Sequence, residues 1–350
     1  MKRKILVICA VCAVLGAVIF SQTQPSDSAQ SAPPAVVSQN AAENAYCLSF
    51  TATRWLNEED PEAMVCTYDL QSGTVSEHFR FPVSAMYALG IYDQASNAVF
   101  YSKELDNDTY KRWHTGDQIY RHDLTTGADE ALTDDLLAVN YLHPIDDALL
   151  FLAAKLENPD SLVVGRIDLP GGEIRYWDEV DTASTRLLSL DRERERLYVA
   201  MYDADEDTAF FSTDGVRPTH TIYSYDYQLG DKREILSETH KTIRSIYVSD
   251  GLLMYCMENE ETGVAQTYTT RVIDTDTMEV LFENNDRFTH EGCLAPDGAG
   301  AYLFVTISDF NGIGYFDFET QRYTPVLENP STAENEQADI VNFQMLRMSK

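Results

Sequence analysis

The sequence predicts an all-β protein: a six-bladed β-propeller in which every blade is a four-stranded antiparallel sheet. Three observations favour this fold. A hairpin motif recurs six times, its copies are spaced at about the length of one blade, and a spare strand near the C-terminal end can complete the first blade. From Ala45 onward the chain consists of short apolar segments separated by turns, as expected of β-strands.

The repeated motif is a strand that ends in an aromatic residue or isoleucine, followed by an aspartate and a tight turn. The aspartate side chain can accept hydrogen bonds from the amides of the turn. Glycine four residues later supplies a positive φ, and because the last two copies lack it we expect their hairpins to differ. The aspartates are 54, 45, 58, 48 and 43 residues apart, the length of a four-stranded blade. They are Asp69, Asp123, Asp168, Asp226, Asp274 and Asp317.

The first blade lacks its innermost strand. If the strands of a blade are named a to d from the axis outward, Ala45–Thr53 matches strand b, and nothing suitable precedes it. Residues 338–347 near the C-terminal end match the pattern of strand a. We therefore expect them to lie beside Ala45–Thr53 and to close the ring, which removes open sheet edges.

A family resemblance is carried by three of the hairpins and one turn. They are CTYDLQSG (Cys66–Gly73), YRHDLTTG (Tyr120–Gly127), YSYDYQLG (Tyr223–Gly230) and the turn Pro296-Asp297-Gly298. Over about residues 45–347 the chain resembles the TolB-like propellers and the propeller domains of prolyl oligopeptidase-type peptidases. The resemblance implies the fold and little about activity, because propellers host many unrelated functions. The sequence contains no G-x-S-x-G nucleophile elbow, so peptidase activity does not carry over.

Three regions are predicted along the chain. Residues 1–20 combine a basic start, Lys2 to Lys4, with the apolar run Ile5–Phe20, which indicates a cleaved signal peptide or an N-terminal membrane anchor. Residues 21–44 are rich in Ser, Gln, Ala and Pro and predict a flexible stalk. Residues 45–350 form the propeller. An extracytoplasmic location follows, either anchored or secreted.

Composition excludes some partners. With 26 Lys and Arg against 57 Asp and Glu, the net charge of −31 opposes binding to nucleic acid and to anionic lipid headgroups. Membrane contact is therefore expected through the N-terminal segment only. The four cysteines beyond that segment match no zinc motif and are expected to be buried thiols, with a Cys47–Cys66 bridge as the alternative. They are Cys47, Cys66, Cys256 and Cys293.

One face of the ring is predicted to be acidic. Because strands alternate in direction, the b–c and d–a connections share one face, and the chain enters at Ala45 on the other. Five of the six b–c connections are acidic. The b–c connections are Asn57–Glu62, Glu104–Asp108, Leu156–Asp160, Asp203–Asp207, Glu258–Glu261 and Ser308–Gly312. The d–a connections add Asp134, Asp135, Asp181, Glu238 and Asp286.

Calcium is the one metal that a sequence pattern suggests. Asp203, Asp205, Asp207 and Asp214 have the 1-3-5-12 spacing of an EF-hand-type loop. Position six is Thr208 rather than glycine, and position twelve is an aspartate rather than a bidentate glutamate. A solvated acidic loop without metal is the alternative, and no other cofactor is expected.

A polar column is predicted inside the ring. Alignment of the innermost strands places Asn140, Arg186, Arg244 and Glu291 at equivalent positions. His240 and His290 are close to two of them in sequence. These side chains either line a water-filled axial channel or bind a ligand at its mouth.

The sequence favours a non-enzymatic binding or sensor propeller that presents its acidic face to a protein, peptide or carbohydrate partner. The alternative is a propeller hydrolase or lactonase-like enzyme with its site at the channel mouth, for which Glu291 and Asp135 are the best acids. A third class is a structural surface protein stiffened by calcium-binding loops.

Overall fold

The described residues all belong to the predicted propeller region. Residues 1–20 and 21–44, predicted as targeting segment and stalk, lie outside them. Among the described residues, no helix is long and apolar enough to cross a membrane. The computed structural model describes residues 45–55, 61–83, 87–104, 116–169, 171–177, 183–213, 216–259, 267–285, 291–307, 310–329 and 340–348.

These residues form six four-stranded antiparallel sheets arranged as the blades of a ring. The prediction of a six-bladed propeller is therefore confirmed. In blades one to three the strands, from the axis outward, are β24 (Ile340–Met348), β1 (Ala45–Trp55), β2 (Pro61–Asp69) and β3 (Val75–Pro82); β4 (Gly90–Asp93), β5 (Ala98–Glu104), β6 (Asp117–Asp123) and β7 (Asp129–Ala131); β8 (Leu136–Ile145), β9 (Ala148–Lys155), β10 (Asn158–Asp168) and β11 (Ile174–Tyr176).

Blades four to six have the same strand order, and the one helix among the described residues lies in a connection between two of these strands. Helix α1 (Ala204–Thr213) lies in the b–c connection of blade four. The strands of these blades are β12 (Ala183–Asp191), β13 (Arg196–Asp203), β14 (His220–Asp226) and β15 (Arg233–Glu238); β16 (Thr242–Ser249), β17 (Leu252–Glu258), β18 (Tyr268–Asp274) and β19 (Val280–Asn284); β20 (Gly292–Leu294), β21 (Gly300–Ile307), β22 (Phe310–Asp317) and β23 (Arg322–Glu328).

The ring closes through the C-terminal strand, as predicted. β24 pairs antiparallel with β1, with Ala45 opposite Met348 and Ala52 opposite Ile340. At its other end β1 turns into β2, where Trp55 lies opposite Pro61. Eleven extended residues span about 33 Å. The chain therefore enters the ring at the face opposite the b–c connections.

The core lies between blades. Each of six clusters of buried apolar residues joins two neighbouring blades, for example Phe100 of blade two with Phe151 of blade three. Because both faces of a blade are covered, the second strands are apolar along their length, as in Ala148–Lys155. The described cysteines are all free thiols, and Cys66 lies opposite Phe50 rather than Cys47. The alternative of a Cys47–Cys66 bridge is thus wrong.

The repeated aspartates act in the hairpins as predicted. The Oδ1 atom of Asp69 accepts bonds from the amides of Gln71 and Ser72 at 2.7 and 2.8 Å. Asp123 and Asp274 repeat this pattern. Asp168 is different, because its carboxylate binds two arginine side chains. The aspartate thus holds the hairpin of most blades in one conformation.

The expectation that the last two hairpins differ is wrong. Met278 and Gln321 have φ values of 60° and 54°, and their amides donate to the aspartate carbonyl at 2.8 and 2.9 Å, as the amide of Gly73 does at 2.9 Å. The hydrogen-bonded turn thus overrides a cost of about 1 kcal/mol for a side chain at positive φ. The hairpin of blade four differs from the others, because Leu229 rather than Gly230 has a positive φ, of 67°.

Candidate functional site

The predicted polar column coincides with β-bulges of the inner strands. Between Val139 and Tyr141, between Thr185 and Leu187, and between Ile243 and Ser245, one residue is left without a partner on the neighbouring strand. Those residues are Asn140, Arg186 and Arg244. A bulge redirects the side chain and breaks the regular alternation. The structure thus brings the predicted column to one level of the ring, although the side chain of Arg186 lies outside the described part.

Glu291 lies at the same level of blade six, directly before β20. Its carbonyl accepts a bond from the amide of Phe304 at 2.9 Å, and its Oε2 atom accepts one from the amide of Phe343 at 3.2 Å. The second bond joins blade six to the closing strand β24. Desolvation raises the pKa of Glu291 to about 7, although the Phe343 amide acts in the opposite direction.

The charge of this carboxyl group reaches tyrosine side chains on two other blades. Tyr141 of blade three and Tyr247 of blade five are both buried deeply enough that desolvation, with the nearby charge of Glu291, raises their pKa values. Tyr87 adds to the shift of Tyr141. Tyr141 lies on the innermost strand β8 and Tyr247 on the innermost strand β16.

A hydrogen-bonded plug crosses the axis towards the a–b connections. The Nε2 atom of Gln344 on β24 donates to the carbonyl of Leu142 on β8 at 2.6 Å, and Arg192 donates to Pro144 at 2.7 Å and to Gln344 at 3.5 Å. Asn342 donates to Gly90 at 3.1 Å. Blades one and four lie opposite each other, so this network spans the ring. The simple water-filled channel that the sequence suggested is therefore crossed by protein at this level.

A fully buried carboxylate, Glu258, lies at the end of β17. Its side chain is 1% exposed and binds Arg217 and Arg244, with 2.6 Å from the Nε atom of Arg244. Arg217 also donates to Thr242 at 2.7 Å and stacks on Phe210 of α1. The sequence assigned Glu258 to the exposed acidic face, and this is wrong, because two guanidinium groups enclose and neutralise it.

A cleft of about 290 Å³ opens beside this ion cluster. It lies between α1 and the connection from β15 to β16, on the face that carries the b–c and d–a connections. His240, with a φ of 57°, is exposed there, and its ring nitrogen lies 3.3 Å from the carbonyl of Arg217. Val216 is 58% exposed. The lining residues are Glu206, Ala209, Val216, Arg217, Thr219 and His240.

The segment predicted as an acidic loop is a helix instead. Asp203 ends β13, and its Oδ1 atom accepts bonds from the amides of Asp205 and Glu206 at 2.9 Å, which caps α1. Asp205 and Asp207 then lie in the first turn, where their charges favour the helix. No group of three metal-ligating side chains is found among the described residues, and Asp214 lies outside them. Calcium binding stays a prediction.

The two acids of the enzymatic alternative have different surroundings. Asp135 accepts bonds from the hydroxyl of Tyr176 at 3.0 Å and lies 3.7 Å from the Lys155 ammonium group. The carboxylate of Glu291 accepts a bond from the Phe343 amide. Asn140 carries a buried Oδ1 atom without a hydrogen-bond partner among the described residues, and His290 lies outside them.

Three solved structures share the architecture. TolB from Acinetobacter baumannii aligns over 85% of this chain and 66% of its own, with 12% identity and a TM-score of 0.52. This chain has the fold of the TolB-like propellers. Kuenenia stuttgartiensis hydrazine synthase (10% identity, TM-score 0.56) covers 87% of this chain. A prolyl endopeptidase (15% identity, TM-score 0.51) covers 85%.

These likenesses concern the fold alone, because the identities are low. The chain spans less than two thirds of each of the three: 66% of TolB, 47% of the hydrazine synthase chain and 42% of the prolyl endopeptidase. No protein-family model and no curated protein sequence matches it. The resemblance to TolB-like and prolyl oligopeptidase-type propellers is thus confirmed for the architecture.

Proposed function

We propose that this propeller is a binding module whose partner is a protein or peptide that docks on the face of the b–c and d–a connections. The observation that carries the proposal is the cleft between α1 and His240. Its volume of about 290 Å³ is at the lower end of small-molecule sites, and it suits one or two side chains of a peptide better than an oligosaccharide.

The walls of the cleft suggest the chemistry of the anchoring residue. Val216 and Ala209 offer apolar surface, and the exposed carboxylate of Glu206 stands beside them. An apolar side chain with a neighbouring cation would therefore fit. The net charge of −31 would attract such a basic segment at a distance. The ion cluster of Glu258 holds one wall rigid, which reduces the entropy lost on binding.

An extracytoplasmic location is part of this proposal. It rests on the basic start and apolar run of residues 1–20 in the sequence. Since Ala45 lies on the opposite face from the cleft, a tethered ring would present the cleft away from the membrane.

The test is site-specific photocrosslinking in the native cell envelope. A photoreactive amino acid at Val216, in the cleft, is compared with one at Val280 on β19, which is similarly exposed at 58% and 49%. We expect a discrete adduct from Val216 and none from Val280. Ala209→Phe, which fills the cleft, should lower the yield from Val216 about tenfold, as loss of a central contact does. Equal labelling at both positions, or an adduct unaffected by Ala209→Phe, would contradict the proposal.

A further inference from the structure

Arg192 is an arginine near the axis for which the described residues supply no carboxylate partner. It lies on the a–b connection of blade four, between β12 and β13. Its guanidinium group donates to the carbonyl of Pro144 on β8 at 2.7 Å and to the Oε1 atom of Gln344 on β24 at 3.5 Å, and both acceptors are neutral. Arg194 and Arg196 of the same blade are each paired with an aspartate. The charge of Arg192 is therefore an exception within its own blade.

The surroundings of Arg192 form a recess rather than a sealed core. Desolvation lowers the pKa of Arg192, which shows that protein atoms enclose the group, yet the residue keeps part of its surface accessible to water. A guanidinium group carries five N–H donors and stays charged at neutral pH. Two of these donors have acceptors in the described part of the chain, so three remain for a ligand.

A second polar side chain at this place is buried without a partner. His143 directly precedes Pro144 and is 6% exposed, and its Nε2 atom has no hydrogen-bond partner among the described residues. Its ring stacks on that of Tyr141, with 6.0 Å between centroids, and Tyr141 packs into the apolar cluster between blades three and four. The imidazole is therefore on the side of blade three that faces Arg192. Burial and the charge of Arg192 lower the pKa of His143 to about 3, so His143 is neutral at pH 7.

We propose that Arg192 and His143 bind a small carboxylate anion near the axis, on the side of the plug where the a–b connections lie. The guanidinium group supplies the charge and a planar set of donors, which matches the two oxygen atoms of a carboxylate. The Nε2 atom of His143 supplies a further donor in the tautomer that carries its hydrogen there. Gln344, held to the carbonyl of Leu142 at 2.6 Å, fixes one edge of the guanidinium group. The site is on the opposite face from the cleft proposed for the protein partner and does not depend on that function.

The charges around the site favour an anion that carries a single negative charge. Asp93 and Asp146, on the a–b connections of blades two and three, act on the charge of Arg192 but form no ion pair with it. They also repel an anion that approaches the guanidinium group. Coulomb energy falls with distance, so one arginine in contact outweighs the more distant aspartates for one negative charge. A second negative charge, as on sulfate, adds to the repulsion, whereas Arg192 is a single cation.

The experiment uses sodium acetate as the probe at neutral pH, with sodium chloride at equal ionic strength as the control. Binding is followed by NMR at the ring atoms of His143, with His143→Gln used to assign the signals. A ligand of four heavy atoms is expected to bind with a Kd on the order of 1 mM. The His143 signals should shift to saturation with acetate and not with chloride. No response to acetate, or equal responses to the two salts, would overturn the proposal in the wild-type protein, whether or not any variant folds.

Two matched variants locate the site. Arg192→Gln removes the unpaired charge, and the affinity for acetate should fall about tenfold or more, as expected for the loss of a charged hydrogen-bonding partner. Arg194→Gln removes an equal charge two residues away, from an arginine that already binds Asp276 at 2.9 Å. Because solvent screens that pair, the affinity should change less than about threefold. Similar losses in the two variants would show that acetate responds to the general charge of this face and would overturn the proposal.

Discussion

Glu258 and Glu291 are two enclosed carboxyl groups on neighbouring blades, near the same face of the ring, and they are stabilised in different ways. Glu258 closes an ion cluster with Arg217 and Arg244. Glu291 accepts a bond from one backbone amide, and desolvation raises its pKa to about 7. The first group is part of the structure that holds blades four and five together. The carboxylate of Glu291 has no counter-charge among the described residues.

The difference between the two groups lies in their partners rather than in their positions. Glu258 lies opposite Thr242, close to the bulge at Arg244, and Glu291 lies directly before β20, so both are beside an inner strand and position alone does not distinguish them. Their partners do: the charge of Glu258 is paired within the fold, whereas an unpaired carboxylate costs stability. The predictions below change the pairing of each group in turn.

The largest effect is expected from Glu258→Gln. This change leaves two partly buried guanidinium groups without a counter-charge, and breaking a buried ion pair from one side typically costs about 3 kcal/mol or more. Urea unfolding at pH 7.5 measures the loss. A variant as stable as the wild type would mean that solvent already neutralises Arg217 and Arg244, and the contrast with Glu291 would disappear.

Glu291→Gln should raise the free energy of unfolding, the opposite of the effect expected for Glu258→Gln. The folded-state pKa is raised, so the stability that this carboxyl contributes is fully present below its unfolded value of about 4.5 and is lost as pH rises through about 7. Glutamine can still accept the Phe343 bond. At pH 8 the variant should therefore be more stable than the wild type by about 3 kcal/mol. At pH 5, where most of the wild-type carboxyl is protonated, the difference should be only about 1 kcal/mol. A difference that is constant with pH would contradict the account.

Arg244→Gln tests how the ion cluster shares its charge. One charged hydrogen-bonding partner of Glu258 is lost while Arg217 remains, so the free energy of unfolding should fall by about 2 kcal/mol. The loss should be smaller than that of Glu258→Gln, measured in the same buffer. If Arg244→Gln lowers the free energy of unfolding more than Glu258→Gln does, then Arg217 does not balance the charge of Glu258. The three side chains would then not act as one ion cluster.

The smallest effect is expected from Glu283→Gln at the outer edge of blade five. Glu283 lies 2.6 Å from Arg271, but its side chain is 49% exposed, and solvent screens the pair. Exposed ion pairs contribute less than about 1 kcal/mol. Stability close to that of the wild type, without pH dependence between pH 5 and pH 8, is the expected result. A larger loss would mean that the method does not distinguish buried from exposed charges.

Much of the fold could be predicted because each blade repeats a local rule. The Asp-turn hairpins and the spare strand at the C-terminal end were enough to predict blade number and closure. The sequence did not predict helix α1, because the spacing of Asp203, Asp205 and Asp207 is typical of a metal-binding or solvated loop. The sequence signal that could have shown it is Asp203 followed three residues later by Glu206, the spacing of a helix N-cap and a capping box.

The site was predicted less completely than the fold. Alignment of the inner strands did place Asn140 and Arg244 at equivalent positions, since both stand at a bulge of their strand. It could not show that Glu258 is buried, because partners such as Arg217 lie in a neighbouring blade. The plug was missed for the same reason: Gln344 and Arg192 are 152 residues apart and meet only across the axis.

The central claim is that Glu291 is a carboxyl group without a counter-charge among the residues that the structure describes. The direct measurement is the NMR titration of its carboxyl carbon between pH 4 and pH 9, with Glu291→Gln used to assign the signal. The account predicts a midpoint near pH 7, as burial raises the pKa of Glu291 to about 7. A midpoint near 4.5, the ordinary value for glutamate, would show that water or an unrecognised cation already stabilises the charge and would contradict the claim.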